Sequence, residues 1–139
     1  VKRSAKIAEE ISVLMPKIAR RILMGFFGSV EITQTQLFTI ITLYEKGPCR
    51  FSELSGELKI SAPTATGIID RLEKSGHVKR IPDKEDRRAI NIHLTAKGIR
   101  IAKTLRATLK DQWQTLLEKL SASDRENYLE ILRKIFGTL

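Results

Sequence analysis

The 139 residues include a single cysteine, Cys49. That excludes an internal disulfide framework and a Cys-rich zinc site. No apolar run approaches the roughly 18–20 residues of a membrane span, and the chain does not open on a signal-peptide pattern. No membrane partner is therefore expected, and a cytoplasmic location is. A Gly-rich phosphate loop, a nucleophile elbow and paired carboxylates at catalytic spacing are all missing, so no enzyme is expected. His77 and His93 have no Cys or acidic cluster near them at ligand spacing, so neither a metal nor another cofactor is expected. Both read as surface or strand residues. There is no internal repeat, low-complexity stretch or linker.

Acidic residues are also in short supply, 16 against 25 Lys and Arg, for a formal charge of +9. With 42% hydrophobic and 29% charged residues, the chain can bury a core and is not a disordered basic tail. Such a balance favours a polyanion as partner. The excess is uneven: residues 1–28 and 77–100 each carry +4, whereas 50–76 and 121–139 are neutral. Its densest part is Lys79, Arg80, Lys84, Arg87, Arg88, Lys97 and Arg100.

Ile7, Ile11, Leu14, Ile18 and Ile22 recur at the spacing of one helix face within 5–24. Pro16 is expected to kink that helix, and Gly25 and Gly28 to loosen the chain after it. Thr33 and Gln36 fit a capping box. The helix they open turns Leu37, Ile40, Ile41 and Tyr44 to one side, with Phe38 beside them, and stops at Gly47-Pro48. A short helix follows over about 52–58. Ser61 then caps another over about 62–75, with Pro63 in its first turn, where a missing N–H costs nothing. Beyond Gly76 the apolar period changes from 3.6 to 2. Residues 77–81 and 90–94 read as strands around the polar loop Pro82–Ala89. Thr95 caps a long helix striped by Ile101, Leu105, Leu109, Trp113, Leu116 and Leu120. Ser123 and Glu126 fit a second capping box before a last helix bearing Tyr128, Ile131, Leu132, Ile135 and Leu139.

The fold class is therefore mainly α with a small β-hairpin. Two short helices joined at Lys59-Ile60 and followed by a hairpin make a winged helix-turn-helix over 33–95, with recognition helix 61–75 and wing 77–95. The second helix of such a motif enters the major groove. Its leading face carries Ser61, Thr64 and Thr66, small hydroxyls that approach phosphates and base edges without clash, and Arg71 lies further along. In the wing, Asp86 is expected to brace Arg88 by an ion pair, leaving Lys84 and Arg87 free at a tip suited to the minor groove. These seven residues, Asp86 aside, are the candidate contacts to double-stranded DNA. The competing reading is a winged-helix protein–protein module that binds no DNA; a basic wing and an open hydroxyl face argue against it.

The stretch from Ser61 to Val78, then Asp83–Arg88 and Ile90–Gly98, resembles the multiple-antibiotic-resistance regulator (MarR) family. The Asp86-Arg87-Arg88 wing and its spacing to Leu94-Thr95 are the most specific parts, and the likeness runs along essentially the whole chain. It implies a homodimeric repressor, less often an activator, whose two wings and recognition helices read a pseudo-palindrome. Helices in 1–28 and 96–139 would form the dimer. By position, Ser61, Thr64 and Thr66 match the family's recognition-helix contacts and Arg88 its wing arginine. Many members carry arginine where this chain has Gly67. The resemblance also implies release by a small aromatic or carboxylate effector bound near Arg21, Phe26, Phe38 and Ile41. Dimerisation has independent support: the apolar stripes of the first and last helices exceed what one small winged core can cover. Cys49, with no second cysteine to resolve it, is not expected to be a redox sensor, and Trp113 is expected in packing.

Overall fold

The computed structural model describes residues 2–139. Six helices and three strands follow one another: α1 (Lys2–Ser29), α2 (Gln34–Lys46), β1 (Cys49–Arg50), α3 (Phe51–Glu57), α4 (Ala62–Lys74), β2 (Val78–Pro82), β3 (Ile90–Leu94), α5 (Ala96–Leu117) and α6 (Ala122–Phe136). They group into two compact units, one of residues 25–106 and one of residues 2–24 with 107–139. No helix among the described residues is long and apolar enough to cross a membrane.

The unit of residues 25–106 holds the core. Ile40 and Leu43 of α2, Leu54 of α3, Ile68, Ile69 and Leu72 of α4, Val78 and Ile92 of the sheet and Ala102 of α5 form one buried cluster. Each large aliphatic side chain removed from water there contributes about 1.5–3 kcal/mol. Thr33 accepts from the Gln36 amide while Gln36 Oε1 accepts from Thr33 N–H, closing the expected capping box. The inward face of α2 is shifted from the expected one. Leu37, Thr39, Ile40 and Leu43 are buried, whereas Phe38 and Tyr44 are exposed. Thr39 can be buried because its hydroxyl donates to Thr35 O at 2.8 Å. Gly47, at φ 80°, turns the chain out of the helix.

The hairpin gains a third strand. β1, only two residues long, pairs antiparallel with β3, giving the order β1-β3-β2 with Cys49 opposite Ile92 and Val78 opposite Leu94. Cys49 is buried, and burial pushes its thiol pKa up, which opposes thiolate formation. His77 is buried rather than on the surface; its Nδ1 lies 2.6 Å from Ser75 Oγ, and burial, with Lys97 nearby, lowers its pKa.

Helix α1 does not loosen at Gly25 and Gly28. It runs on to Ser29 through Pro16 and both glycines. Each glycine costs only about 1 kcal/mol of helix propensity, and the segment between them buries Phe26, 1% exposed and edge-on to Phe27. Thr95 does cap α5, accepting from Gly98 N–H at 3.3 Å. The last helix starts earlier than expected, with Ser121 rather than Ser123 as its cap, accepting from Asp124 N–H. This start puts Arg125 where it donates to Leu117 O and Glu118 O, closing the carbonyl end of α5. Leu120 consequently falls beyond α5, in the turn. Trp113 packs against Tyr128 with ring centroids 5.6 Å apart.

Candidate nucleic-acid interface

The turn between α3 and α4 is tight. Lys59 sits at φ 52°, and Ile60 N–H returns to Ser55 O at 3.2 Å. It delivers Ser61 to the N-cap of α4, where its hydroxyl oxygen accepts from Thr64 N–H, and Pro63 occupies the first turn. Ala65, Ile68, Ile69 and Leu72 bury one face of α4, leaving Ser61, Thr64, Thr66 and Arg71 exposed on it.

The hydroxyls are not equivalent. Ser61 Oγ donates to Thr64 Oγ1 at 2.9 Å, and Thr66 Oγ1 donates to Ala62 O at 2.9 Å. The protons of Ser61 and Thr66 are therefore engaged, and these residues offer lone pairs. Thr64 keeps its own proton free to donate outward. Arg71 does not pair with Asp70 or Glu73; its Nε donates to Gly67 O at 3.2 Å, laying the guanidinium back along the helix. A Cβ at Gly67 would meet only Arg71 Nη2, at 3.4 Å, the mobile end of a flexible side chain. Gly67→Ala should accordingly raise stability by about 0.5–1 kcal/mol, read as a higher melting temperature.

Asp70 and Glu73 are occupied by Arg80 of β2, which sequence reasoning counted only as one more base. Arg80 Nη2 donates to Asp70 Oδ1 at 2.6 Å, Nη1 to Glu73 Oε1 at 2.7 Å, and its backbone N–H to Glu73 Oε2 at 3.3 Å. The arginine so fastens the wing strand to α4. Lys97 is likewise engaged, donating to Ser75 O at the carbonyl end of α4. Lys79, Lys84, Arg87, Arg88 and Arg100 have no side-chain partner among the described residues and are exposed.

The wing loop is organised by Asp83, not by an Asp86–Arg88 ion pair. Asp83 Oδ1 accepts from the N–H groups of Glu85 and Asp86 at 2.9 and 3.2 Å, and Oδ2 accepts from Asn91 Nδ2 at 3.2 Å. These bonds, the Glu85 N–H foremost, hold its pKa below the usual carboxylate range. Asp86 instead accepts from the backbone N–H of Arg88 at 3.0 Å. It fixes main chain and leaves the guanidinium free. An aspartate whose carboxylate accepts from the N–H two residues on makes an Asx-turn; Asp83 and Asp86 both do so, and only the bond of Asp83 to Asn91 sets it apart.

The residues expected around an effector have different environments. Phe26 is buried, Phe38 is 61% exposed, and Ile41 is half-buried against the core cluster. Arg21 belongs to the other unit, where it is exposed and lines a shallow concavity of α1 with Leu14, Lys17 and Ile18.

Residues 32–90, which span α2 to the start of β3, match the MarR family. The HTH-type transcriptional regulator PapX of Escherichia coli is 33% identical over 81% of this chain and 70% of its own length. A MarR family protein from Bacillus stearothermophilus superposes with a TM-score of 0.87 at 23% identity, over 99% of this chain and 95% of that one. Streptococcus pneumoniae FabT, solved in complex with DNA, shares the fold with a TM-score of 0.79 at 21% identity, over 97% and 96%. Members of this family are DNA-binding regulators rather than enzymes. With the winged helix-turn-helix in place and the sequence match centred on it, the chain belongs to the MarR family of transcriptional regulators.

Proposed function

We propose that the protein is a homodimeric, sequence-specific repressor that binds a pseudo-palindromic operator and is released by a small aromatic or carboxylate effector. The observation that carries the DNA part is the pairing of an exposed hydroxyl face on α4 with a wing whose exposed Lys84, Arg87 and Arg88 have no side-chain partner among the described residues. α4 supplies Ser61, Thr64 and Thr66 to base edges and phosphates, with Arg71 as a backbone contact; the wing supplies charge. FabT, which shares this fold, was solved in complex with DNA, and this supports DNA as the partner.

The dimer rests on uncovered apolar surface. No residue of α6 is buried, and Ile11, Ile131 and Phe136 are 51%, 52% and 79% exposed. A second copy would cover such faces and set two recognition helices about 34 Å apart, one turn of DNA. Sedimentation at micromolar concentration should give a dimer, and a monomer would overturn this part. For the effector, Lys17, Arg20 and Arg21 beside Leu14 and Ile18 offer the charge and apolar contact that a carboxylate on a ring requires. Salicylate at millimolar concentration should raise the melting temperature, and no shift would count against release by this class.

The DNA reading is tested by anisotropy of a labelled duplex from upstream of the protein's own gene, over about 50–300 mM salt. Log affinity should fall steeply with log salt as condensed counterions are released, and a flat line would overturn it. Arg88→Ala should weaken binding about five-fold, near 1 kcal/mol, with an unchanged melting temperature. Unchanged affinity would remove Arg88 from the interface.

A further inference from the structure

Beside the wing root lies a concavity that none of the candidate contacts accounts for as a site. Arg50 and Ser52 form one side, Arg88 another, and Phe51 and Ile90 supply apolar wall, with Asp86 at the rim. Two guanidinium groups and a hydroxyl thus converge on one hollow, and all of these residues belong to the unit of residues 25–106.

The hollow is built rather than incidental. Arg50 lies in β1, paired opposite Asn91 of β3. Asn91 bonds Asp83 Oδ2, and Arg50 Nη2 is 3.7 Å from that same oxygen. That distance exceeds a hydrogen bond, so Asp83 steers the guanidinium without consuming its donors. Asp83 itself is turned inward, its side chain 16% exposed against 46% for Arg50. The outward face therefore presents two positive groups against the single carboxylate of Asp86, whose Oδ1 is already taken by Arg88 N–H. Arg88 brings a guanidinium with no side-chain partner among the described residues. Planar forks of this kind match the oxygens of a phosphate.

We propose that Arg50, Ser52 and Arg88 form a seat for one phosphate of the DNA backbone. The assignment rests on the DNA-binding reading above and adds Arg50 and Ser52 to it. In a helix-turn-helix the first helix crosses the sugar–phosphate backbone while the second lies in the major groove. Here Arg50 and Ser52 stand at the start of that first helix, α3, and Arg88 belongs to the wing. The strand of backbone that separates the groove read by α4 from the groove beside the wing is what such a seat would hold. A phosphate contact carries no sequence information but fixes register.

The test uses the whole protein and two duplexes, one from upstream of its gene and one scrambled. Arg50→Gln, which keeps a donor for Asp83 but loses the charge, should weaken both duplexes equally, about five-fold. It should also reduce the slope of log affinity on log salt by about one per bound subunit. Arg50→Lys should restore the slope, and Ser52→Ala should cost affinity with no change of slope. If Arg50→Gln lowers only the melting temperature and leaves affinity and slope unchanged, Arg50 merely tethers the wing and the seat is overturned. If inorganic phosphate at constant ionic strength stabilises the wild type but not Arg50→Gln, while the DNA slope is unmoved, the seat serves a free phosphate and the proposal again falls. A wild type that binds neither duplex would defeat the DNA reading itself, a result distinguishable from both.

Discussion

Gly98→Ala should cost about 3 kcal/mol and lower the melting temperature by roughly 10 °C. Gly98 is buried in the first turn of α5, and a Cβ there would stand 2.3 Å from His77 O and 2.9 Å from Leu94 Cδ2. The leucine methyl can rotate away; the carbonyl cannot. His77 O accepts from Thr95 N–H at 3.0 Å, and the Thr95 hydroxyl donates to Gly76 O at 2.5 Å while accepting from Gly98 N–H. Relieving the clash means prising the start of α5 from the turn after α4 and giving up bonds that seal both. The gain of about 1 kcal/mol in helix propensity from replacing glycine offsets only part of that. Since Leu94 and Val78 are paired at the root of the wing, DNA affinity should fall along with stability. Gly67→Ala, on the open side of α4, is the control that should move the other way. A melting temperature at or above wild type for Gly98→Ala would show that the junction is plastic.

What the sequence could show was whatever depends on near neighbours. Thr33 with Gln36 and Ser61 with Pro63 mark helix starts because the bonds they make span three residues. Alternation at Ile90, Ile92 and Leu94 fixed the strand that centres the sheet. Where two local readings competed, tertiary contacts decided. Ser121 and Ser123 both stand three residues before an acid, and the bonds of Arg125 to the end of α5 favour the first. β1 escaped notice because two residues cannot display a period. At the site, the hydroxyls and basic wing were legible as residue types, but which charges are free was not. Arg80 and Lys97 sit in the same basic run as Arg87 and Arg88, yet the first two are engaged across seven to 22 residues of chain. The organising role passed from Asp86 to Asp83 for a similar reason, since it depends on Asn91 from the opposite strand.

Arg80→Met should reduce DNA affinity about 30-fold, equivalent to about 2 kcal/mol, although Arg80 itself need not touch DNA. Its guanidinium bridges Asp70 and Glu73, one helical turn apart on α4, and its own backbone is bonded to Glu73. The bridge is partly open to solvent, with Asp70 59% and Glu73 42% exposed, so its loss should cost only about 1 kcal/mol of fold stability. The larger effect falls on binding. Without Arg80 the wing strand loses its polar fastening to α4, so the contacts proposed for Thr64 and Arg88 must be ordered anew on the duplex. The two carboxylates are also left uncompensated on the helix that approaches the phosphates, where they repel them. These causes separate in a double-mutant cycle. Asp70→Asn in the Arg80→Met background should recover the electrostatic share of the loss and restore part of the affinity, most visibly at low salt, where screening is weakest. The remainder should persist at all salt concentrations, because a helix that has lost its fastening is not recharged into place. Losses that simply add in the cycle would mean that Arg80 and Asp70 act independently, and the coupling of wing to recognition helix would have to lie elsewhere.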